Sequence, residues 1–167
     1  MAHNKIYCFD TSALFDAGIR WYPPDLFPSF WKRLEQLIET GRLKIPVLVA
    51  QEATKKTHTV AQWINKIRKL HQETFIDPDI ITQEALKEIS SKYPDWTAKG
   101  RNLADPFVVA SAKAHGWTVV TGEHPSLSLP LSQPKKQHKL KIPNICDDFS
   151  VDWIGIPDLI KEEKWSF

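Results

Sequence analysis

A short run of apolar residues near the start of the chain, Ile6 to Phe9, ends abruptly at an acidic residue, Asp10. Apolar runs of this length, without alternation with polar residues, are typical of strands buried on both faces of a parallel sheet. Parallel strands need long crossover connections, which are usually helices. The run therefore predicts a fold in which strands alternate with helices, and it places a carboxylate at the end of a buried strand.

Helical patterns and further short apolar runs alternate along the rest of the chain. Apolar residues recur at helical spacing from Leu26 to Ile38, with Asp25 as the predicted N-cap. The predicted elements that follow are a strand over 43–45, a helix from Pro46, and helices from His58 to Tyr93 separated at 77–79. In the second of these helices, an apolar stripe consists of Ile80, Ile81, Leu86 and Ile89. The remaining predicted elements are a helix from Ala104 to His115 ended by Gly116, a strand from Trp117 to Thr121, a strand near Val151 to Trp153 and a helix from Pro157. Repeated units of this kind force right-handed crossovers between parallel strands. The sequence thus predicts an α/β fold, a three-layer α/β/α arrangement around a central, mainly parallel twisted sheet.

Length and composition suit one folded domain. The chain has 167 residues, 42% of them hydrophobic and 25% charged, which is close to the averages for soluble proteins. Four prolines and little periodicity mark the stretch from 124 to 144. We therefore expect a single domain over 1–167 with a long loop or insertion at about 124–144.

Charge and cysteine content narrow the classes of function. The 22 basic and 20 acidic residues leave a net charge of +2, so a nucleic-acid partner would have to be met by a local patch. Cys8 and Cys146 lie among apolar neighbours, which predicts buried, reduced thiols and excludes a disulfide framework. The first residues contain no signal-peptide core, and no apolar window approaches the length of a membrane span. We therefore expect a cytoplasmic protein with no membrane-spanning segment.

Four acidic residues stand where an apolar residue or a simple turn would have served the fold. Asp10 ends the first strand, and Glu123 follows the strand predicted to end at Thr121. Glu52 and Asp105 are predicted on inward helix faces, because apolar residues stand three and four positions away from each. We expect Asp10, Glu52 and Asp105 to converge at the carboxyl ends of the strands, where sites in such sheets lie.

A divalent cation would make such a cluster tolerable. Burying several carboxylates together is costly unless their charge is neutralised, and their repulsion raises their pKa values. Hard carboxylate oxygens, without a cluster of His or Cys residues, favour Mg²⁺ or Mn²⁺ over Zn²⁺. An acidic cluster holding such an ion activates water and neutralises charge on a phosphodiester, which is phosphoryl-transfer chemistry.

Each acid also has an interpretation that involves no catalysis. Asp10 and Asp105 could each cap the helix that follows. Glu52 could be a solvated residue on a helix whose register differs from the predicted one, and Glu123 could belong to an ordinary polar turn. These alternatives stay open for each residue alone, and the joint placement of all four favours a site.

Four motifs together resemble the PIN domain, a family of metal-dependent ribonucleases. They are Asp10-Thr11-Ser12-Ala13-Leu14 after the apolar run, the inward Glu52, Ala104-Asp105-Pro106-Phe107-Val108-Val109-Ala110, and Val119-Val120-Thr121-Gly122-Glu123. The segments Trp21-Tyr22-Pro23-Pro24 and Lys141-Ile142-Pro143-Asn144-Ile145-Cys146 are similar to a prokaryotic PIN subgroup of poorly assigned function. The resemblance covers nearly the whole chain, with the motifs in the right order.

The resemblance implies a set of site residues. It assigns metal ligation to Asp10, Glu52 and Asp105, with Glu123 as the fourth acid, and supporting roles to the hydroxyls of Thr11 or Ser12 and to Thr121. The chain departs from the commonest pattern at the last motif, where Gly122-Glu123-His124-Pro125 stands and Asp is frequent in the family. The resemblance thus leaves the number of metal ions open.

The resemblance also implies an activity and partners. Many single-domain prokaryotic PIN proteins are toxins of toxin-antitoxin pairs, which cut RNA and are silenced by a cognate antitoxin. We therefore expect a Mg²⁺- or Mn²⁺-dependent endoribonuclease with RNA as its substrate, an antitoxin protein as its partner and a homodimeric assembly.

Two acid-free stretches are candidates for the RNA surface. The first, between residues 53 and 72, carries Lys55, Lys56, Lys66, Arg68 and Lys69, and the second, from 124 to 146, carries the predicted RNA-binding residues Lys135, Lys136, Lys139 and Lys141. A solvated helix face and a soluble loop would show the same pattern, so both alternatives stay open. Aromatic rings can stack on bases, and the candidates are Trp21, Tyr22, Trp96 and Trp117.

Two other functions compete with the nuclease. In a haloacid-dehalogenase-like phosphatase, Asp10, Thr121, a lysine among 135–141 and Asp147-Asp148 would stand in the expected order. That chemistry uses a second acid two residues after the nucleophile, where this chain has Ser12, and it leaves Glu52 and Asp105 unexplained. The third function is a PIN domain that binds RNA or a protein without catalysis.

Overall fold

Strands and helices alternate along the chain in a computed structural model that describes residues 4–55, 58–98, 103–127, 137 and 139–167. The strands are β1 (Tyr7–Phe9), β2 (Leu43–Pro46), β3 (Phe75–Ile76), β4 (Thr118–Val120) and β5 (Trp153–Ile154). The helices are α1 (Thr11–Phe15), α2 (Pro28–Glu39), α3 (Val47–Ala53), α4 (Thr59–Leu70), α5 (Ile80–Lys92), α6 (Pro94–Thr97), α7 (Asp105–His115), α8 (Ile142–Asp148) and α9 (Ile156–Glu162), and a π-helical segment, Asp16–Trp21, continues α1. Within these described ranges, no helix has the length and apolar character that a membrane span requires.

The sheet has β1 at its centre. Across the described ranges it contains five strands in the order β3-β2-β1-β4-β5, and all of these pairs are parallel. Tyr7 lies opposite Leu43 on one side and Thr118 on the other. Helices flank the sheet, so the predicted α/β fold is confirmed. The strand order reverses between β1 and β4, and the crevice at such a reversal is where open α/β sheets usually bind their ligands.

The central strand is completely buried, as the continuous apolar run predicts. Tyr7, Cys8 and Phe9 have no exposed surface. Cys8 and Cys146 are both free and buried, which confirms the prediction of buried thiols without a disulfide. Burial raises the pKa of each of these thiols, so both stay protonated and unreactive at neutral pH.

Helix α2 begins later than the sequence predicts, and the predicted N-cap Asp25 is wrong. Phe27 precedes the helix, and Pro28 is its first residue. An Asp25 cap would need the amide of residue 27 or 28. The Phe27 amide already donates to the Pro23 carbonyl oxygen at 2.8 Å, and Pro28 has no amide hydrogen. Neither residue therefore provides a donor that the Asp25 side chain could accept.

The stretch predicted as helical from His58 to Tyr93 contains a strand. Phe75 and Ile76 pair in parallel with Ile45 and Pro46 of β2. Two residues are too few to show strand periodicity, and their hydrogen-bonding partner lies about 30 residues earlier in the chain. Local sequence therefore could not reveal β3, because only the tertiary pairing with β2 defines it.

The apolar stripe predicted on α5 packs against the core only in its later part. Ile80 and Ile81 are 75% and 54% exposed. The buried face of α5 consists of Thr82, Ala85 and Ile89. Asp79 accepts a hydrogen bond from the Thr82 amide at 2.8 Å, and this cap sets a register in which both isoleucines of the first turn face outward.

Helix α8 begins inside the segment predicted as a loop from 124 to 144. Its start is held by Asn144, whose Oδ1 accepts the amide of Lys141 at 3.0 Å. Pro143 is compatible with this position, because the first turn of a helix does not need its amide hydrogen. The part of the predicted loop at 128–136 and 138 lies outside the described residues.

Candidate active site

The sheet brings all four predicted acids to its carboxyl edge. Asp10 follows β1 directly, and Glu123 lies three residues after β4. Helix α3, which carries Glu52, begins where β2 ends. Helix α7 starts with Asp105 and leads back to the beginning of β4, so its first residue lies at the edge where the strands end. The acids are therefore separated in sequence but gathered at one end of the parallel strands.

Asp10 is a buried carboxylate at the centre of a hydrogen-bond network. It is 2% exposed, and it accepts hydrogen bonds from the Ala13 amide at 2.7 Å and from the Thr121 hydroxyl at 2.7 Å. The Ser12 hydroxyl donates to the same carboxylate, at 2.8 Å from Oδ2. Burial raises the pKa of Asp10 to about 7 against the opposing effect of these hydrogen bonds, and the charge of Glu123 adds to the rise. Asp10 thus caps α1 and also belongs to the acidic cluster.

The three predicted supporting hydroxyls all contact acids of the cluster or join its strands. Thr11 donates to Glu52 Oε2 at 2.6 Å, which places α3 beside the end of β1. Ser12 accepts the amide of Gly122 at 2.9 Å, and Thr121 accepts the amide of Glu123 at 3.1 Å. These hydroxyls connect the ends of β1 and β4 across the reversal in strand order.

Asp105 is the acid least occupied by other contacts. Ala104, not Asp105, is the N-cap of α7, and the Asp105 carboxylate accepts no hydrogen bond from any described residue, so the capping interpretation of Asp105 is wrong. The pKa of Asp105 is raised to about 7, first by burial and then by the negative charges of Glu123, Asp10 and Glu52, while the positive charge of Lys141 opposes the rise. The negative charges of all three other acids therefore contribute to the electrostatic environment of the Asp105 carboxyl group.

Glu123 is fixed to the start of α8 instead of lying in a free polar turn. Its Oε2 accepts the Ile142 amide at 2.8 Å, and its Oε1 lies 3.7 Å from the Lys141 ammonium group. Ser126 reinforces this connection, because its amide donates to Asn144 Oδ1 at 3.0 Å. The segment after β4 and the start of α8 therefore form one structure that holds both an acid and a cation at the site.

The donor chemistry of the cluster suits a hard divalent cation. Four carboxylates that repel one another provide oxygen ligands of the kind that Mg²⁺ and Mn²⁺ prefer, and the Asp105 carboxylate has no described hydrogen-bond donor. Among the described residues, no three acidic, histidine or cysteine side chains already lie close enough together to hold a metal ion. The cluster therefore fits the ion in its chemistry, and its side chains would have to draw together to bind it.

A fifth acid, Asp16, lies beside the cluster and was not among the predicted site residues. It is 9% exposed and lies 3.1 Å from Arg20. Its carboxylate occupies the space next to Gly122, where an added Cβ would lie 2.1 Å from Asp16 Oδ2. The spacing of Asp16, one helical turn after Ser12, is the sequence feature that could have pointed to it.

Gly122→Ala should therefore destabilise the protein by roughly 1–3 kcal/mol, because the new methyl group would overlap the buried Asp16 carboxylate. Urea unfolding would measure the loss. The matched control is Gly155→Ala, since a Cβ at Gly155 would meet nothing closer than 3.6 Å. Adding Asp16→Ala to Gly122→Ala should restore most of the stability. Equal stabilities for the two single glycine variants would contradict this packing.

The predicted basic and aromatic surfaces are only partly available. Lys139 and Lys141 lie in the described part of the chain, whereas Lys135 and Lys136 lie outside it. Trp96 is 1% exposed and donates to the Leu140 carbonyl oxygen at 3.1 Å, so this candidate for base stacking belongs to the core. Two of the basic candidates already have partners, since Lys66 pairs with Glu35 and Arg68 lies over the Phe75 ring. Two of the aromatic candidates also have partners, since Tyr22 stacks on Phe30 and Trp117 stacks on His115. The side chain of Trp21 is 44% exposed.

The acidic pair Asp147-Asp148 lies at the far end of α8 from the cluster. Asp148 pairs with Lys92 at 2.6 Å and accepts the Tyr93 hydroxyl at 2.8 Å. Asp147 accepts the indole N–H of Trp153, which begins β5. Since α8 runs from the carboxyl edge of the sheet toward the start of β5, this pair lies away from Asp10. The contacts do not support the phosphatase alternative, which needs these acids beside the nucleophile.

Comparisons with known proteins give one family and a distant structural likeness. No curated protein matches the chain. A solved structure of VapBC2 from Rickettsia felis, bound to a DNA fragment from their promoter, is similar over 90% of this chain and 98% of that chain, with 17% sequence identity and a TM-score of 0.48. Residues 7–167 match the family described as "Domain of unknown function (DUF4411)". Because this match covers nearly the whole sequence, the chain belongs to the DUF4411 family.

Proposed function

We propose that the protein is a metal-dependent endoribonuclease that hydrolyses phosphodiester bonds of RNA. The observation that carries this proposal is the convergence of four carboxylates at the carboxyl edge of the sheet, with the pKa values of Asp10 and Asp105 both raised to about 7. A buried carboxylate such as Asp10 is costly when three partly buried carboxylates lie at the same edge, and a function that needs their combined negative charge explains this arrangement. The resemblance of the surrounding motifs to PIN ribonucleases agrees with this chemistry.

Each residue of the cluster has a role in the proposed reaction. Asp10, Glu52, Asp105 and Glu123 would hold Mg²⁺ or Mn²⁺, which when bound supplies a Lewis acid and an activated water. The hydroxyls of Thr11, Ser12 and Thr121 orient the carboxylates that they contact. Lys141, whose ammonium group lies 3.7 Å from Glu123 Oε1, would contact the phosphate backbone of a bound strand in this proposal.

A toxin-like role with a protein partner is the finer part of the proposal. With a net charge of +2 and only local basic patches, the chain has little to set substrate choice or to restrain cleavage. Restraint would then come from a separate protein, and the resemblance to prokaryotic PIN proteins suggests an antitoxin. The antitoxin and the homodimer remain predictions.

One assay separates the competing functions. The purified protein is incubated with labelled single-stranded RNA in EDTA or in Mn²⁺, and in parallel with an aryl phosphate. We expect RNA cleavage that requires Mn²⁺ and no turnover of the aryl phosphate. Turnover of the aryl phosphate alone would favour the phosphatase, and RNA binding without any cleavage would favour the non-catalytic domain.

Replacing Lys135, Lys136, Lys139 and Lys141 together by Gln should weaken RNA binding and reduce its salt dependence. Each phosphate contact that is lost removes about one unit from the slope of log affinity against log salt concentration. Fluorescence anisotropy over a salt titration measures both effects. The control variant Lys161→Gln/Lys164→Gln removes positive charge near the end of the chain and should keep the slope. An unchanged slope in the fourfold variant would remove this segment from the RNA surface.

A further inference from the structure

A cavity of about 260 Å³ lies at the carboxyl ends of β2 and β3, at the same edge of the sheet as the acidic cluster. Pro46 and Ile76, the last residues of these strands, form part of its wall, and Leu48 and Phe107 form another part. Leu48 stands one helical turn before Glu52 on α3, and Phe107 stands two residues after Asp105 on α7. The cavity and two of the acids are therefore built on the same two helices.

The size and walls of this cavity suit one flat ring system. Pockets for drug-sized ligands usually measure roughly 300–1,000 Å³, so this cavity is small by comparison. Its walls combine the half-buried side chains of Leu48 and Phe107 with the proline rings of Pro46 and Pro78. Apolar and aromatic walls of this kind stabilise a planar ring by contact with its faces.

Three polar side chains with unused hydrogen-bonding capacity border the same cavity. Ser111 is 3% exposed, while Gln51 and Asp77 are exposed at the surface. None of these three side chains makes a hydrogen bond or ion pair with another residue in the described part of the chain. A few convergent polar groups around an apolar cavity are typical of a site that binds and orients a ligand.

We propose, on the basis of the nuclease function proposed above, that this cavity binds one nucleobase of the RNA strand and prefers guanine. A carboxylate such as Asp77 only accepts hydrogen bonds, and guanine presents two adjacent N–H donors, N1–H and the 2-amino group, on one edge. Guanine O6 is an acceptor that matches the donors of Gln51 and Ser111. Uracil presents a single donor, N3–H, between two carbonyl acceptors, so it can make only one hydrogen bond to the Asp77 carboxylate, and a carbonyl oxygen would face the second carboxylate oxygen unfavourably.

Equilibrium binding tests the base preference without any cleavage. Labelled RNA pentamers that differ only at the central base are titrated in EDTA with the Asp10→Asn protein, and fluorescence anisotropy gives each affinity. Because a bidentate contact discriminates against a base that cannot make both hydrogen bonds, the pentamer with central guanine should bind about tenfold more tightly than the one with uracil. Asp77→Asn in the same background should abolish this ratio.

The matched control is Asp25→Asn, which removes the same charge from an exposed loop residue that makes no described side-chain contact. It should keep the preference for guanine. Since Asp77 is also exposed, both variants should fold, and their melting temperatures check this. Equal affinities for all pentamers, or the same guanine preference in the Asp77→Asn and Asp25→Asn proteins, would overturn the guanine site.

Mapping the cleavage positions on an RNA of mixed sequence separates failure of this inference from failure of the proposed function. The wild-type enzyme in Mn²⁺ should cut at a fixed distance from guanines, and Asp77→Asn should lose this pattern. Cleavage without any base pattern would overturn the guanine site and leave the nuclease intact. Absence of cleavage, together with guanine binding that depends on Asp77, would support the base site and contradict the nuclease.

Discussion

The Asp10→Asn protein should cleave RNA at least about a hundredfold more slowly than the wild-type protein, because it loses a ligand from the centre of the proposed metal site. The side chain keeps its size, and its remaining oxygen can still accept the Ala13 amide that caps α1. The fold should therefore survive the change. Without metal, the variant should be as stable as the wild type or more stable, since one charge is gone from a cluster of mutually repelling carboxylates.

Two measurements make this result specific. Gel-based cleavage of labelled RNA in Mn²⁺ gives the rate, and the melting temperature with and without Mn²⁺ reports metal binding independently of activity. The Asp25→Asn protein is the matched control and should keep both the rate and the gain in melting temperature with Mn²⁺. Full activity in the Asp10→Asn protein would show that the cluster is not the catalytic centre.

Without metal, the free energy of unfolding should fall by a few kcal/mol between pH 5 and pH 8. Asp10 and Asp105 have pKa values of about 7 in the folded protein, whereas an unfolded chain gives Asp a value of about 3.9. The folded state therefore binds protons more strongly than the unfolded state over this range. Such groups contribute their full stability below about pH 4, and this contribution is lost as the pH rises through about 7.

Urea unfolding in EDTA at a series of pH values measures this slope. Asp10→Asn and Asp105→Asn should each flatten it, because each removes one of the two titrating carboxyls, whereas Asp25→Asn should leave it unchanged. Adding Mn²⁺ should stabilise the wild-type protein most at high pH, where the carboxylates are charged and free of protons. A wild-type stability that rises from pH 5 to pH 8 in EDTA would contradict the raised pKa values.

Local patterns in the sequence were enough to predict several elements of the fold. The run before Asp10 is the fully buried β1, and the helix predicted from Ala104 to His115 is α7, with Gly116 at its end in the left-handed conformation at φ 67°. These elements are predictable because their cause is local: a continuous apolar run, a helical period, or a glycine that tolerates positive φ. The four acids were found in the same way, from their positions relative to such elements.

Features that depend on distant parts of the chain could not be found in this way. The two-residue strand β3 exists only through its pairing with β2, and the burial of Trp96 depends on the Leu140 carbonyl that accepts its indole N–H. The contact between Asp16 and Gly122 shows the same limit, because these two residues lie more than 100 positions apart in the chain. Each of these contacts forms after the chain has closed a long loop, so no short window of sequence contains it.

The sequence alone thus identified an α/β protein with acids at its strand ends. Hydrophobic periodicity and a carboxylate directly after an apolar run can both be recognised within a short stretch of sequence. Only the tertiary structure determined which hydrogen bonds hold these acids and how their charges affect one another. The hydroxyls of Thr11 and Thr121 reach acids on other elements, and Glu123 is fixed by the amide of Ile142. The raised pKa values of Asp10 and Asp105 follow from burial and mutual repulsion, which exist only once parallel strands bring their carboxyl ends to the same edge of the sheet.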